Sequence, residues 1–295
     1  MSTRAPLAER FAAARPRLLR LAYSQLGDLG EAEDVVQEAW LRLESVGADR
    51  IDDLDAWLTT VVGRLSLDAL RSARARRERY VGPWLPEPVV TPVAAATPPP
   101  DPADRVTLDE SVSYALLAVL EQLSPAERTA FVLHDVFDVP FAEVGEIVGR
   151  TPESARQLAS RARRHVTASR PRRPVEAAEH RRLVEAFARA TAEGDMAAML
   201  EILDPDVTFT ADGGGRVIAA RKPLHGAARV AKAWIAINSG TARAAPRGIV
   251  DLNGRAGLVT AAANGEPSVL AFTVDDGRIV RIDVIRNPDK LRRRG

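Results

Sequence analysis

Arginine and glutamine at helical spacing behind a tight turn are the residues of this chain best suited to reading the edges of base pairs. Residues Phe141 to Val148 (FAEVGEIV) have the pattern of a short helix, Gly149-Arg150-Thr151 that of a turn, and Pro152 to Arg164 (PESARQLASRARR) that of a second helix. This is a helix-turn-helix pattern. Thr151 suits the N-cap, and Pro152 and Glu153 suit the first turn, where a missing N–H and a negative charge are tolerated. With Ala155, Leu158, Ala159 and Ala162 turned inward, Ser154, Arg156, Gln157, Ser160, Arg161 and Arg164 face outward. Arg and Gln pair bidentately with guanine and adenine, and further arginines hold phosphates. The same pattern also fits a plain helical hairpin with a solvated basic face.

A second basic run, Arg64, Arg71, Arg74, Arg76, Arg77 and Arg79, follows Trp57 and Thr60 and includes Asp68. Cationic side chains interleaved with an aromatic suit unstacked bases; a solvated charge run around a core tryptophan is the plainer reading. The helix pattern from Glu31 to Leu43 has Val35, Val36, Ala39, Trp40 and Leu43 on one face and Glu31, Glu33, Asp34, Gln37 and Glu38 around the other. Carboxylates repel DNA, so this face suits a protein partner, or only solvent. For acid–base chemistry the candidates are His225, Asp206, Asp212 and Asp283. His225 precedes Gly226 and a helix start and reads as a turn or capping residue. His134, His165, His180 and His225 are widely separated and show no ligand spacing, which argues against a metal. The three glycines after Asp212 permit close backbone approach by a ligand or another segment, or simply make a hairpin turn.

These residues sit on a chain that changes character along its length. Residues 1–80 read as helices. Residues 81–107 (from VGPWLPEPVV) hold eight prolines, which remove backbone donors and block helix, so the segment reads as a linker. Its front carries Tyr80, Trp84 and Leu85, large groups a solvated spacer does not need, and is expected to dock on a domain. Helical periodicity returns over 108–170, with Ser124-Pro125-Ala126-Glu127 as a helix start. After a basic hinge at Pro171 to Pro174, residues 174–295 read as helices at about 175–193 and 195–203. Strand-like runs VTFTA, RVIAA, GIVDL, AGLVTAAA, SVLAFTV and RIVRIDVI follow. Asn253-Gly254, Asn264-Gly265 and Asp276-Gly277 signal hairpins, because the favoured turn needs positive φ at both central positions. An α+β domain with an antiparallel sheet is expected.

At 295 residues the chain is long enough for two or three domains. Its 41 Lys and Arg nearly balance 40 Asp and Glu, so nucleic-acid contact must come from local clustering of Arg. The absence of Cys excludes disulfides, thiolate metal sites and cysteine nucleophiles. No apolar run is long enough to span a bilayer and no leader pattern precedes the first helix, so a cytoplasmic location is expected.

Three segments of the first 170 residues carry a resemblance. GEAEDVVQEAWLRL resembles region 2.2, DAWLTTVVGRLSLDALRSARARR regions 2.3 and 2.4, and LSPAERTAFVLHDVFDVPFAEVGEIVGRTPESARQLASRARR region 4 of a group-4, extracytoplasmic-function RNA polymerase sigma factor. YVGPWLPEP, DGGG at Asp212 to Gly215 and NPDKL at Asn287 to Leu291 resemble the signatures of its SigJ-type subgroup, with a C-terminal SnoaL-like domain. Arg216 after DGGG stands where that subgroup is expected to have Lys, a change that alters hydrogen-bond geometry.

The resemblance implies two all-α sigma domains, at 1–80 (region 2 bundle) and 108–170 (region 4 helix-turn-helix), then an α+β SnoaL-like cone with a curved antiparallel sheet at 174–295. It implies promoter-specific initiation, no catalytic residues, cofactor or metal, and cis modulation by the C-terminal domain. By the resemblance, Asp34, Gln37, Glu38 and Trp40 meet the β′ clamp helices of core polymerase, whose β subunit is a further partner. Trp57, Thr60, Arg64, Asp68 and Arg71 hold the melted minus-10 strand, and Ser154, Arg156, Gln157, Ser160 and Arg161 read the minus-35 duplex of promoter DNA. Trp84, Leu85, Pro86, Glu87 and Pro88, apolar groups in a proline linker, are expected to dock on the SnoaL-like domain and on region 2. Asp212, Gly213, Gly214 and Gly215 with Asn287, Pro288, Asp289, Lys290 and Leu291 are expected to close that contact, with the basic tail Arg292 to Arg294 beside them. No membrane partner is implied, and a small ligand in the C-terminal domain is left open. Two other readings stay open at this point: a one-component helix-turn-helix regulator with a ligand-sensing domain, and an enzyme with a DNA-binding anchor.

Overall fold

A computed structural model describes residues 4–47, 50–77, 80–92, 112–169, 171–238, 245–261 and 265–291. The chain forms two compact units, the first from residues 1–78, 99–112 and 119–169, the second from 79–98, 113–118 and 170–295.

In the first unit α1 (Arg4–Leu26), α2 (Leu29–Val46) and α3 (Leu54–Arg77) pack together. Gly27, at φ 66°, stops α1 in a left-handed turn, and Asp28 then caps α2 by accepting from the Glu31 N–H at 2.9 Å. Leu18, Leu21, Ala22 and Leu26 of α1, Ala39 and Leu43 of α2, and Leu58 and Val62 of α3 are fully buried.

Helix α4 (Tyr114–Leu120) follows residues 93–111, where part of the expected 81–107 linker lies outside the described residues. The α4 residues up to Ala118 belong to the second unit; the helices that follow in the first unit are α5 (Pro125–Phe131), running into a π-helical turn at Val132–Val136, then α6 (Phe141–Val148) and α7 (Pro152–Ser169). Ser124 and Glu127 cap α5 reciprocally, as the sequence SPAE foretells.

The second unit holds α8 (Ala177–Glu193), α9 (Met196–Ile202), α10 (Ala227–Asn238), α11 (Pro288–Leu291) and a seven-stranded sheet. The strands are β1 (Val90–Pro92), β2 (Leu203–Asp212), β3 (Leu224–His225), β4 (Ala245–Leu252), β5 (Arg255–Ala261), β6 (Pro267–Asp275) and β7 (Arg278–Ile285), in the order β1-β4-β5-β6-β7-β2-β3. Asn253-Gly254 and Asp276-Gly277 have the positive φ of their hairpin turns; Asn264 lies outside the described residues.

Three features depart from the expected antiparallel sheet. First, β2 and β7 are parallel, so the sheet is mixed. No hairpin joins these two strands, and the intervening helix and strands supply the long crossover a parallel pair requires. Second, RVIAA (216–220) is a loop rather than a strand. Arg286 donates to the Ile218 carbonyl, the Val217 N–H folds back to Gly213 O, and Leu224–His225 take the place beside β2. Third, the sheet gains an edge strand from the proline linker: Val90, Thr91 and Pro92 pair with Leu252, Asp251 and Val250.

One sheet face and helices α8 to α10 enclose a core in which Phe187, Phe209, Trp234 and Phe272 meet with centroids 5.1 to 5.9 Å apart. The other face buries Leu252, Val259, Val269, Ala271 and Ile285 against Leu85, Tyr114, Ala118 and Leu291. Covering both faces explains why β5 to β7 read as near-continuous apolar runs.

His180 of α8 is buried, with Nε2 3.1 Å from Phe272 O and Nδ1 without a hydrogen-bond partner among the described residues. Burial lowers its pKa below 6.5. The folded state therefore resists protonation, and the stability this gives is present above the unfolded pKa of 6.5 and lost as pH falls through the lower folded value. Thermal unfolding between pH 7 and pH 5.5 is expected to show the second unit losing at most about 1 kcal/mol per pH unit from this group, a slope that H180F removes.

Candidate functional site

In the second unit the carboxylate of Asp212, fully buried at the end of β2, gathers four donors. Oδ1 accepts from the Tyr80 hydroxyl at 2.6 Å and the Gly214 N–H at 3.0 Å; Oδ2 accepts from the Leu85 N–H at 3.0 Å and Lys290 Nζ at 2.7 Å. Lys290 Nζ also donates to the Leu85 carbonyl and stands 3.8 Å from the centroid of the Trp84 ring, a cation–π contact. Asn287 Nδ2 donates to the Tyr80 oxygen at 2.9 Å. Burial, then the Asp212 carboxylate, push the Tyr80 phenol above its ordinary pKa, so it stays a donor at any physiological pH.

The chain is built for this closeness. The Arg286 and Asn287 N–H groups both donate to Asp212 O, which ties the end of β7 to the end of β2. A Cβ on Gly214 would lie 2.5 Å from Asn287 Cγ, and Gly214 already has φ +64°. Leu85, Pro86, Glu87 and Pro88 are all buried, Tyr114 OH donates to Pro86 O at 3.3 Å, and Val89 and Asn253 exchange two hydrogen bonds at 3.0 Å. Pro288 opens α11, Asp289 pairs with Arg216 at 2.7 Å, and Leu291 enters the apolar core under the linker. The structure thus brings together Trp84 to Pro88, Asp212 to Gly215 and Asn287 to Leu291. Tyr80, which the sequence grouped with Trp84 and Leu85 as a docking residue, joins them through Asp212 and Asn287. Arg292 to Arg294 lie outside the described residues. The Pro171–Pro174 segment is pinned to the β6–β7 turn: the Arg172 and Arg173 N–H groups donate to Asp275, and Arg173 pairs with Asp276 at 3.0 Å.

The acid–base candidates do not converge. Asp206 and His225 are exposed, with His225 Nδ1 3.2 Å from Thr208 Oγ1. His225 is a strand residue paired with Thr208, not a cap. Asp283 is buried on the linker-covered face with Arg281 at 2.7 Å. Among the described residues no cluster of three His, Cys, Asp or Glu stands ready for a metal.

In the first unit Trp57, Thr60, Arg64, Asp68 and Arg71 form a stripe along α3, with Arg64, Asp68 and Arg71 exposed. Arg71 pairs with Asp68 at 3.3 Å. Arg64 donates to Glu146 O at 3.4 Å, and a Cβ on Gly63 would lie 3.2 Å from Ile147, so α6 packs beside the stripe. The backbone of Arg74, Arg76 and Arg77 continues α3; Arg79 lies outside the described residues. On α2 Asp34 and Gln37 are exposed, Glu38 pairs with Arg42 at 3.0 Å, and Trp40 is half-buried with its ring 4.9 Å from Phe11.

The helix-turn-helix has the expected form. Gly149, at φ 68°, ends α6, and Thr151 Oγ1 accepts from the Ser154 N–H at 3.3 Å. A Cβ on Gly145 would meet Arg150 O at 2.8 Å, so the turn folds tightly over that position. G145A is expected to cost about 1–3 kcal/mol in the unfolding of the first unit, measured by calorimetry. Arg156, Gln157 and Ser160 are exposed and Ser154 half-buried. Arg161 differs: its Nε donates to Glu127 Oε1 at 2.9 Å, so it ties α7 to α5.

Residues 11–76 match Sigma-70 region 2, residues 113–166 Sigma-70 region 4, and residues 184–282 the SnoaL-like domain. The chain is 42% identical over 291 residues to the ECF RNA polymerase sigma factor SigJ of Mycobacterium tuberculosis, covering 95% of this chain and 92% of that one. It belongs to the ECF RNA polymerase sigma factors. A second relative of this family, the probable sigma factor SigI of the same species, is 37% identical over 304 residues and covers 99% and 97% of the two chains. The crystal structure of M. tuberculosis SigJ superimposes with a TM-score of 0.78 at 38% identity, over 97% of this chain and 98% of that one. As a sigma factor with regions 2 and 4 the protein directs transcription initiation, which implies binding to core RNA polymerase and promoter DNA. No helix among the described residues is long and apolar enough to cross a membrane.

Proposed function

We propose that this sigma factor is modulated in cis by its SnoaL-like domain, through the clasp that Asp212 and Lys290 make on the Tyr80 to Pro92 linker. The single observation that carries the reading is the Asp212 carboxylate, which holds Tyr80, the Leu85 backbone and Lys290 at once. The linker leads from region 2 toward region 4, so clasping it limits the placements open to the two promoter-reading regions.

Asp34, Gln37, Glu38 and Trp40 meet the β′ clamp helices; Trp57, Thr60, Arg64, Asp68 and Arg71 hold the minus-10 strand. Ser154, Arg156, Gln157 and Ser160 read the minus-35 duplex, with Arg161 joining them once it leaves Glu127. The SnoaL-like domain acts by binding rather than turnover, a reading supported by its apolar, aromatic-filled core and by the dispersal of Asp206, Asp212, Asp283 and His225.

In vitro transcription with bacterial core polymerase tests the regulation. W84A, which removes the ring over Lys290, is expected to change transcript yield about fivefold or more relative to the unaltered chain. Unchanged yield at equal polymerase occupancy would refute it. Duplex binding without any polymerase-dependent transcript would favour a one-component regulator.

A further inference from the structure

Where β2 ends, the loop from Gly213 to Arg221 turns back and bounds a half-open cleft of about 300 Å³, flanked on one side by Val81 and Gly82 of the linker. Ala211, Ala219 and Ala220 form its inner lining, and Arg216 and Arg221 its exposed end. Ala211 belongs to the aromatic-filled core of the SnoaL-like fold, and Ala219 and Ala220 pack against that core, so the cleft opens from its edge.

The two charged residues that line the cleft are both arginines. Asp289 occupies Nε of Arg216, and among the described residues Arg221 makes no ion pair or hydrogen bond. The loop is also held in shape. Arg286 grips the Ile218 carbonyl, Gly213 is packed so closely that a Cβ would lie 2.5 Å from Val217 O, and the Gly82 Cβ position is 3.8 Å from Arg221 Cα. Two arginine side chains at the open end of a small cleft floored by three alanines match an acid group followed by a compact body that can lie on the alanines.

We propose that this cleft binds a small organic anion with an apolar body, its acid group between Arg216 and Arg221 and its body over Ala211, Ala219 and Ala220. Such a ligand touches Val81 and Gly82, so it binds the docked linker better than an undocked one and favours the clasped form. That last step rests on the regulatory reading; the binding does not.

The test uses the full chain with 8-anilinonaphthalene-1-sulfonate as fluorescent probe, displaced by octanoate or by octanamide. Octanoate is expected to displace the probe at about tenfold lower concentration than octanamide, and R221Q to weaken octanoate about tenfold while leaving octanamide unchanged. R216Q/R221Q should weaken it further. Absence of displaceable probe, equal potency of acid and amide, or octanoate affinity unaltered in the double variant would each overturn the site. Hydrogen exchange of residues 80–92 with and without octanoate then reads the linkage. Slower exchange supports it, whereas unchanged exchange with intact binding overturns the coupling to the clasp and leaves the site standing.

Discussion

Replacing Asp212 by alanine is expected to release the linker, with amide exchange at Leu85 accelerating about a hundredfold or more. The change strands the Lys290 ammonium, which has 6% side-chain exposure, and removes the acceptor for Tyr80 and for the Leu85 N–H. Breaking a buried pair from one side costs about 3–5 kcal/mol, because the remaining charge loses its partner. Undocking is the escape, since it lets Lys290 reach water. The companion D212A/K290M removes both charges and is expected to recover much of the loss, which separates the charge effect from loss of the hydrogen bonds alone. Exchange at Leu85 unaltered in D212A would show that the apolar contacts of Leu85 and Tyr114 hold the linker without the carboxylate.

In the first unit E121A is expected to lower the unfolding temperature by about 10 °C. Arg128 is 2% exposed and pairs with Glu121, and its Nε and second terminal nitrogen have no partner among the described residues. Removing Glu121 leaves a charge in the packing of α5, and α5 carries Glu127, the residue that holds Arg161 of α7. Calorimetry should show the loss confined to the transition of the first unit, with duplex affinity falling in parallel. Glu127 itself is held below the usual carboxylate pKa, chiefly by the Ser124 hydroxyl, so the α5 cap and its tie to Arg161 persist well into mildly acidic solution.

Much of this architecture was legible because local chemistry and tertiary structure agree. Ser124 and Glu127 cap α5, Thr151 caps α7, and the Asn-Gly and Asp-Gly pairs turn hairpins, each through residues within four positions of one another. The clasp was legible in outline because apolar groups in a proline-rich segment need a surface to bury them. Features set by distant residues were not legible. The parallel β2–β7 pair joins strands some 70 residues apart in register, as Asp212 with Ile285. RVIAA has strand composition, yet Arg286 and the Leu224–His225 strand make it a loop. Arg161 sits on the outward face of α7 as expected, but Glu127, 34 residues away, claims its guanidinium. Asp212 and Asp283 have the types for acid–base work, and only the sheet places them beneath the linker instead of inside the fold.

Helix α4 is divided between the two units: Ser113 to Ala118 belong to the second and Val119 onward to the first. The region 4 match begins at residue 113, so the fused domain owns the first turn of a promoter-reading region. The boundary of the unit and the boundary of region 4 therefore do not coincide. A chain cut near Arg173 leaves Leu85, Tyr114 and Ala118 without the sheet that buries them, and the exposed apolar surface is an aggregation hazard. Swapping C-terminal domains among relatives calls for exchanging the 80–92 and 113–118 segments together with the domain, since all three share one core.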